Sequence, residues 1–109
     1  MGQTDVLNQL KVANRQRCPS FGHGGIEGWT PTDWACAVAG ETGEMCNLIK
    51  KLHRGDKIEI EEIADEAGDI VIYLDMLCQR LGIDLKNAIV NKFNKVSEKK
   101  GSDVTIYYY

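Results

Sequence analysis

No run of apolar residues in this chain approaches the roughly 18 that would mark a membrane span. The first residues also lack the charged-then-apolar order of a signal peptide. Basic runs are missing, the net charge is −3, and no RNA-binding signature occurs, so nothing marks a nucleic-acid partner. The four cysteines, Cys18, Cys36, Cys46 and Cys78, form no C-x-x-C pair. Three of them fall inside expected helices, which suits free thiols in a reducing cytosol. A Cys18/His23 metal site is conceivable but lacks a second ligand pair. At 109 residues, 43% apolar and 27% charged, the sequence suits one soluble domain spanning residues 1–109.

What the chain does contain is one acidic phrase written twice. Ala39-Gly40-Glu41-Thr42-Gly43-Glu44 returns 25 positions later as Ala64-Asp65-Glu66-Ala67-Gly68-Asp69. Each copy places two carboxylates three residues apart, which makes them neighbours on one helical face. Like charges at that spacing cost a few tenths of a kcal/mol, and facing copies would add to the cost. A cation between the two pairs is the simplest reason to accept that repulsion twice. Glycine inside a helix costs about 1 kcal/mol against alanine, so the three glycines of the phrase suggest close backbone approach.

Two solvated acidic faces are the bland alternative, and helical geometry argues against it. At about 100° per residue, Trp34, Val38, Met45, Leu48 and Leu52 share one stripe, and Glu41 lies within roughly 20° of its centre. A carboxylate on a buried stripe must be paired, protonated or metal-bound. Glu44 lies at the stripe's edge. In the second copy Ile63, Ala67, Ile70, Leu74, Leu77 and Leu81 form the core face. Glu62, Glu66, Asp69 and Tyr73 form a flank beside it. Metal sites between bundle helices are built on such seams.

The rest of the chain reads as helices and their punctuation. A first helix is expected from Thr4, as N-cap, to about Gln16, on Val6, Leu7, Leu10 and Ala13. Residues 18 to 30 read as a glycine-rich loop carrying Phe21, His23 and Trp29. Thr30-Pro31-Thr32-Asp33 starts a second helix that runs to about His53 and stops at Gly55. A third begins near Ile60 or Glu61 and ends at Gly82; Asp84 caps a fourth, which Gly101 ends. Leu85, Ala88, Ile89, Phe93 and Val96 form the fourth helix's apolar face, with Lys92 projecting to its middle. The tail from Ser102 to Tyr109 is β-prone and expected to be extended. The fold class is therefore all-α, a four-helix bundle core.

Hard carboxylate ligands with no histidine among them suit Mg²⁺, Mn²⁺ or Ca²⁺ better than Zn²⁺ or a di-iron pair, and Mg²⁺ is the first choice with Mn²⁺ possible. Mg²⁺ typically completes its shell with water and substrate phosphates, and multi-metal sites act on displacements at phosphorus. Lys92 either snorkels to the surface or serves an anionic ligand; Lys95 and Lys99 lean to its side. From residues alone the reading stops at a metal-dependent phosphate-ester or nucleotide enzyme.

Glu41-x-x-Glu44, a spacer from 45 to 65, then Glu66-x-x-Asp69 resembles the MazG-like all-α nucleoside triphosphate pyrophosphohydrolase family. The text around it is similar too: Ala39 through Leu52, Ala64 through Tyr73, Leu81-Gly82-Ile83-Asp84-Leu85 and Lys92-Phe93-Asn94. The likeness covers roughly residues 20 to 105. It implies a four-helix core, a homo-oligomer (dimer or dimer of dimers), and Mg²⁺-dependent cleavage of a nucleoside or deoxynucleoside triphosphate to monophosphate and pyrophosphate. Glu41, Glu44, Glu66 and Asp69 would be metal ligands, and Glu41 or Glu44 would also orient or deprotonate the attacking water. Tyr73 would contact the nucleotide, and Lys51 and Lys92 are the choices for phosphate oxygens. His23, Trp29 and Trp34 are candidates for the base or sugar pocket. Trp34 is equally a core candidate, Trp29 a staple for the helix start, and His23 an ordinary loop histidine. Asp65 and Glu62 are further carboxylates that tune the site or face solvent. Competing functions are a narrow dUTP, dCTP or alarmone hydrolase, and a non-catalytic metal-stabilised oligomerisation module.

Overall fold

The computed structural model describes residues 5–22 and 24–108. Four helices run in order: α1 (Val6–Arg17), α2 (Pro31–His53), α3 (Ile60–Arg80) and α4 (Leu85–Lys100). No strand occurs among the described residues. Helix α2 packs chiefly against α3, α1 lies across α3, and α4 meets α3 and α1 more lightly. The acidic phrases therefore sit on the two helices most closely paired.

Local chemistry sets the helix ends. The α2 start is a reciprocal capping box: Thr30 Oγ1 accepts from the Asp33 N–H at 3.1 Å, and the Thr30 N–H donates to Asp33 at 2.9 Å. Helix α1 is capped by Asp5, whose carboxylate accepts from the Asn8 N–H at 2.9 Å. The expected cap, Thr4, lies outside the described residues. Helices α2 and α3 end in the same way. Gly55 N–H reaches Leu52 O and Asp56 N–H reaches Lys51 O; Gly82 N–H reaches Gln79 O and Ile83 N–H reaches Cys78 O. These paired bonds require a left-handed residue, which Gly55 (φ 97°) and Gly82 (φ 74°) supply. Gly101 closes α4 through the corresponding bonds from Gly101 and Ser102.

The glycine-rich stretch is more ordered than its composition suggests. It forms two 3₁₀ turns, Cys18–Phe21 and Ile26–Gly28, and contributes to the core. Cys18 and Ile26 are buried with Trp34 and Met76, and Trp29, Ile72, Tyr73 and Leu77 pack around them. The Trp34 indole N–H donates to Ile26 O at 2.9 Å, and Arg80 Nε donates to Trp29 O at 2.8 Å. Alternating glycines hide such a contribution from any periodicity rule, because they break the period.

Part of the apolar surface stays open. Leu52 and Leu81, expected in the core, are 39% and 53% exposed. On α4, Ile89, Phe93 and Val96 are also exposed, while Leu85, Val90 and Ser97 are the buried residues. The radius of gyration, 16.4 Å, exceeds the roughly 13 Å of a compact chain this long. The tail is extended without pairing as a strand. Asn94 holds it by both amide groups, accepting from Ile106 N–H and donating to Ile106 O, each at 2.9 Å. Tyr108 donates its hydroxyl to Asn91.

Candidate metal centre

Glu41 on α2 and Glu66 and Asp69 on α3 bring one carboxylate oxygen each to within 4.8 Å of one another. All three side chains are half-buried. One oxygen of Glu66, Oε2, is buried with no hydrogen-bond donor. An ionised oxygen so placed is costly, since a buried acceptor without a donor forfeits its solvation. The Glu66 carboxyl is held above its ordinary value, first by a hydrogen bond shared with Glu41, then by burial and by the charges of Glu41 and Asp69. Two carboxyls can share a hydrogen bond only when one is protonated. The same juxtaposition, with both ionised, is a cation cradle of hard oxygen ligands.

Glu44 is exposed and falls outside the group of three, though its side chain reaches Glu66. It borders the cradle. Glu62 is engaged elsewhere, since its Oε2 accepts from the Glu59 N–H at 2.9 Å and caps α3. Asp65 is exposed. The mid-helix glycines do not serve close packing within the chain. A Cβ at Gly40, Gly43 or Gly68 would meet no heavy atom within 4 Å, which corrects the expectation of close backbone approach.

The aromatic residues divide. Trp34 is 0% exposed and belongs to the core, one of the two places expected for it. Trp29 packs tilted against it, with centroids 4.6 Å apart and the ring planes at 50°, and keeps part of its surface. Tyr73 tilts against Trp34 at 6.2 Å. Burial, then the charges of Glu41 and Asp69, raise the Tyr73 phenol above its usual value, so it remains a neutral hydrogen-bond donor beside the carboxylates. His23 lies outside the described residues.

Lys51 and Lys92 are both exposed. Lys92 sits where the periodicity expects it, but the face around it is itself exposed, so the position demands no partner. The cation whose charge does act at Tyr73 is Arg17. Sequence reasoning passes over it because a basic residue in the last turn of a helix already has a reason, the helix dipole. All four cysteines are free thiols. Burial raises the proton affinity of Cys18, which sits in the apolar core rather than in a ligand set.

A family model described as the MazG nucleotide pyrophosphohydrolase domain matches residues 30–101, about two thirds of the chain. The chain belongs to the MazG family. Comparisons with curated proteins and with solved structures found no match. The MazG match contains both acidic phrases, Tyr73, Lys51 and Lys92. It begins after Arg17 and the 3₁₀ turns, so the part of the core built by Cys18 and Ile26 lies outside the matched MazG segment.

Proposed function

We propose that this MazG domain, spanning residues 1–109, hydrolyses nucleoside or deoxynucleoside triphosphates to the monophosphate and pyrophosphate, and serves nucleotide-pool sanitation or control. The observation that carries the reading is the buried, donorless Oε2 of Glu66 inside the three-carboxylate group. Glu41, Glu66 and Asp69 would hold Mg²⁺, or Mn²⁺ in its place, with Glu44 as the fourth ligand at the border. When bound, such an ion lowers the pKa of its water and offsets charge on the phosphates.

The chain's own groups supply the remaining work. Glu44, more accessible than the other three, accepts the proton of the attacking water, and Glu41 orients that water. Hydrolysis joins the water oxygen to phosphorus and breaks the bridge between the first and second phosphates; pyrophosphate leaves with the bonding electrons. Tyr73, kept neutral, donates a hydrogen bond to the nucleotide, and Trp29 offers the aromatic surface for base or sugar. Lys51 and Lys92, both exposed, approach phosphate oxygens from a second copy.

Assembly as a homo-oligomer fits the exposed Leu52, Leu81, Ile89, Phe93 and Val96 and the extended dimensions. The protein would act in the cytoplasm; no helix among the described residues is long and apolar enough to cross a membrane. The test is pyrophosphate release from a panel of standard and modified NTPs and dNTPs with Mg²⁺, Mn²⁺ or EDTA. Metal-dependent release with monophosphate as co-product is expected. Silence across the panel from a folded, metal-replete protein would overturn the reading.

A further inference from the structure

We propose that Arg80 is a positioning residue for nucleotide recognition: by donating to Trp29 O, its guanidinium fixes the Trp29 ring as the surface against which the base rests. The proposal rests on the nucleotide hydrolase reading above. It deepens that reading by assigning a residue that itself touches no substrate.

Trp29 ends a segment that cannot hold a ring still unaided. Gly22, Gly24 and Gly25 all adopt left-handed backbones (φ 86°, 83° and 85°), and Gly28 directly precedes Trp29. Glycines lose the most conformational freedom on ordering, so the segment needs anchors from outside. Its two anchors are bonds to carbonyls on either side of the Ile26–Gly28 turn. The Trp34 indole N–H, from α2, donates to Ile26 O at 2.9 Å, and Arg80 Nε, from α3, donates to Trp29 O at 2.8 Å.

The second bond is the one that acts on Trp29 itself. Trp29 is extended (φ −115°, ψ 150°) and lies ahead of the first bond of α2, from Trp34 N–H to Thr30 O, so the helix does not fix it. Arg80 supplies a charged donor in a partly buried place, and such bonds are stronger than neutral ones. As the last residue of α3, a cation at Arg80 already suits the helix dipole, and the sequence therefore gives no sign of this second task.

Trp29 is tied to the carboxylates by packing and helix register. Its ring meets Trp34 at 4.6 Å between centroids, and Trp34 meets Tyr73 at 6.2 Å. Trp34 is fully buried, so of the two tryptophans only Trp29 has surface to offer. Tyr73 stands one turn after Asp69 on α3, and Trp34 two turns before Glu41 on α2. At 1.5 Å per residue the ring layer lies about 6 Å along α3 from Asp69 and about 10 Å along α2 from Glu41. Rings and carboxylates thus occupy neighbouring levels of one helix pair. A nucleotide with its phosphates at the cradle has its base within reach of the ring level. A ring held there before binding spares the cost of ordering it on binding.

The experiment is a double-mutant cycle on the full chain: wild type, Arg80→Gln, Trp29→Ala and the pair, with Arg80→Lys as the conservative variant. KM and kcat are measured for the triphosphates of the standard bases, and affinity for the corresponding monophosphates by calorimetry. Arg80→Gln is expected to raise KM and weaken monophosphate binding about tenfold, the lower end of what a charge-assisted hydrogen bond is worth, with kcat unchanged. Arg80→Lys, which keeps the charge and loses the Nε geometry, is expected to recover part of that factor. Trp29→Ala raises KM by itself, and adding Arg80→Gln to it should change nothing further, the non-additivity of residues that act through one another. A purely structural Arg80 would instead show the same loss in both backgrounds. That result, or wild-type KM in both Arg80 variants, would overturn the assignment and leave the hydrolase reading intact. A wild type without turnover that binds monophosphates in an Arg80-dependent way would overturn the hydrolase reading alone. A wild type that neither turns over triphosphates nor binds monophosphates would overturn both.

Discussion

Glu41 and Glu66 belong to different helices, yet with Asp69 they bring one carboxylate oxygen each to within 4.8 Å of one another, and the proximity of Glu41 raises the proton affinity of Glu66. Each is unexceptional alone. Together they form a site that needs positive charge, supplied at low pH by a proton and otherwise by a cation. Removing one carboxylate should relieve the repulsion and abolish the chemistry at once.

Glu66→Gln tests that opposition. The substitution removes the donorless buried oxygen's charge and supplies an amide donor toward Glu41. The melting temperature of the metal-free protein at neutral pH is expected to rise, by differential scanning calorimetry. Turnover should fall by about two orders of magnitude or more, the scale on which one electrostatic stabiliser acts. Lost folding or assembly would support the structural-module reading instead.

Gly43→Ala addresses the glycines of the repeated phrase. The position is mid-helix with open space where the methyl would go, so stability should rise by about 0.5–1 kcal/mol. Chemical denaturation measures it. A fall in stability would show that a second copy packs on this face.

Asn14→Ala probes the buried link between α1 and α3. Asn14 Nδ2 donates to Asp75 at 2.9 Å and to Ile72 O at 3.1 Å, and Gln79 Nε2 donates to the same Asp75 oxygen at 2.8 Å. Asn14 and Asp75 are 2% and 3% exposed. Truncating Asn14 leaves a buried carboxylate short of a donor, at about 1–3 kcal/mol. The measurement is the urea midpoint, and Asn14→Asp, which faces Asp75 with a like charge, should do worse.

Two ion pairs tie α1 to α4, and their pH dependence has a definite sign. Lys86 and the Asn8 N–H hold the Asp5 carboxyl below its ordinary value, and Lys11 and the Asn87 N–H do the same for Asp84. A carboxyl with a depressed folded-state pKa binds fewer protons folded than unfolded. Its stabilisation is therefore present above the ordinary aspartate value of 3.8 and lost as pH falls through the lower folded value. Stability contributed by these pairs should be flat near neutrality and decline below about pH 4. Asp84→Asn, which preserves the helix cap, should flatten part of that decline in melting temperature against pH.

Much of this is legible in the sequence because it rests on local rules. Thr30, Pro31 and Asp33 announce the start of α2, and Gly55, Gly82 and Gly101 announce three helix ends through a backbone conformation that favours glycine. The repeated acidic phrase places Glu41, Glu66 and Asp69 on facing helices. What is not legible depends on tertiary placement. Cys18 and Ile26 reach the core through turns that carry no period, and they are buried there together with Trp34. The apolar face of α4 stands out as a pattern, but a pattern does not state what covers it; within one chain Phe93 and Val96 remain exposed.

The measurement that bears most directly on the central claim is pyrophosphate release as a function of Mg²⁺ concentration, by wild type and by Glu66→Gln, with folding of both verified by melting. Release is expected to saturate with Mg²⁺ in wild type and to vanish in EDTA. It should be nearly absent in a Glu66→Gln protein that melts no lower than wild type. Release by wild type that ignores EDTA, or a Glu66→Gln variant as active as wild type, would contradict the metal-centred reading.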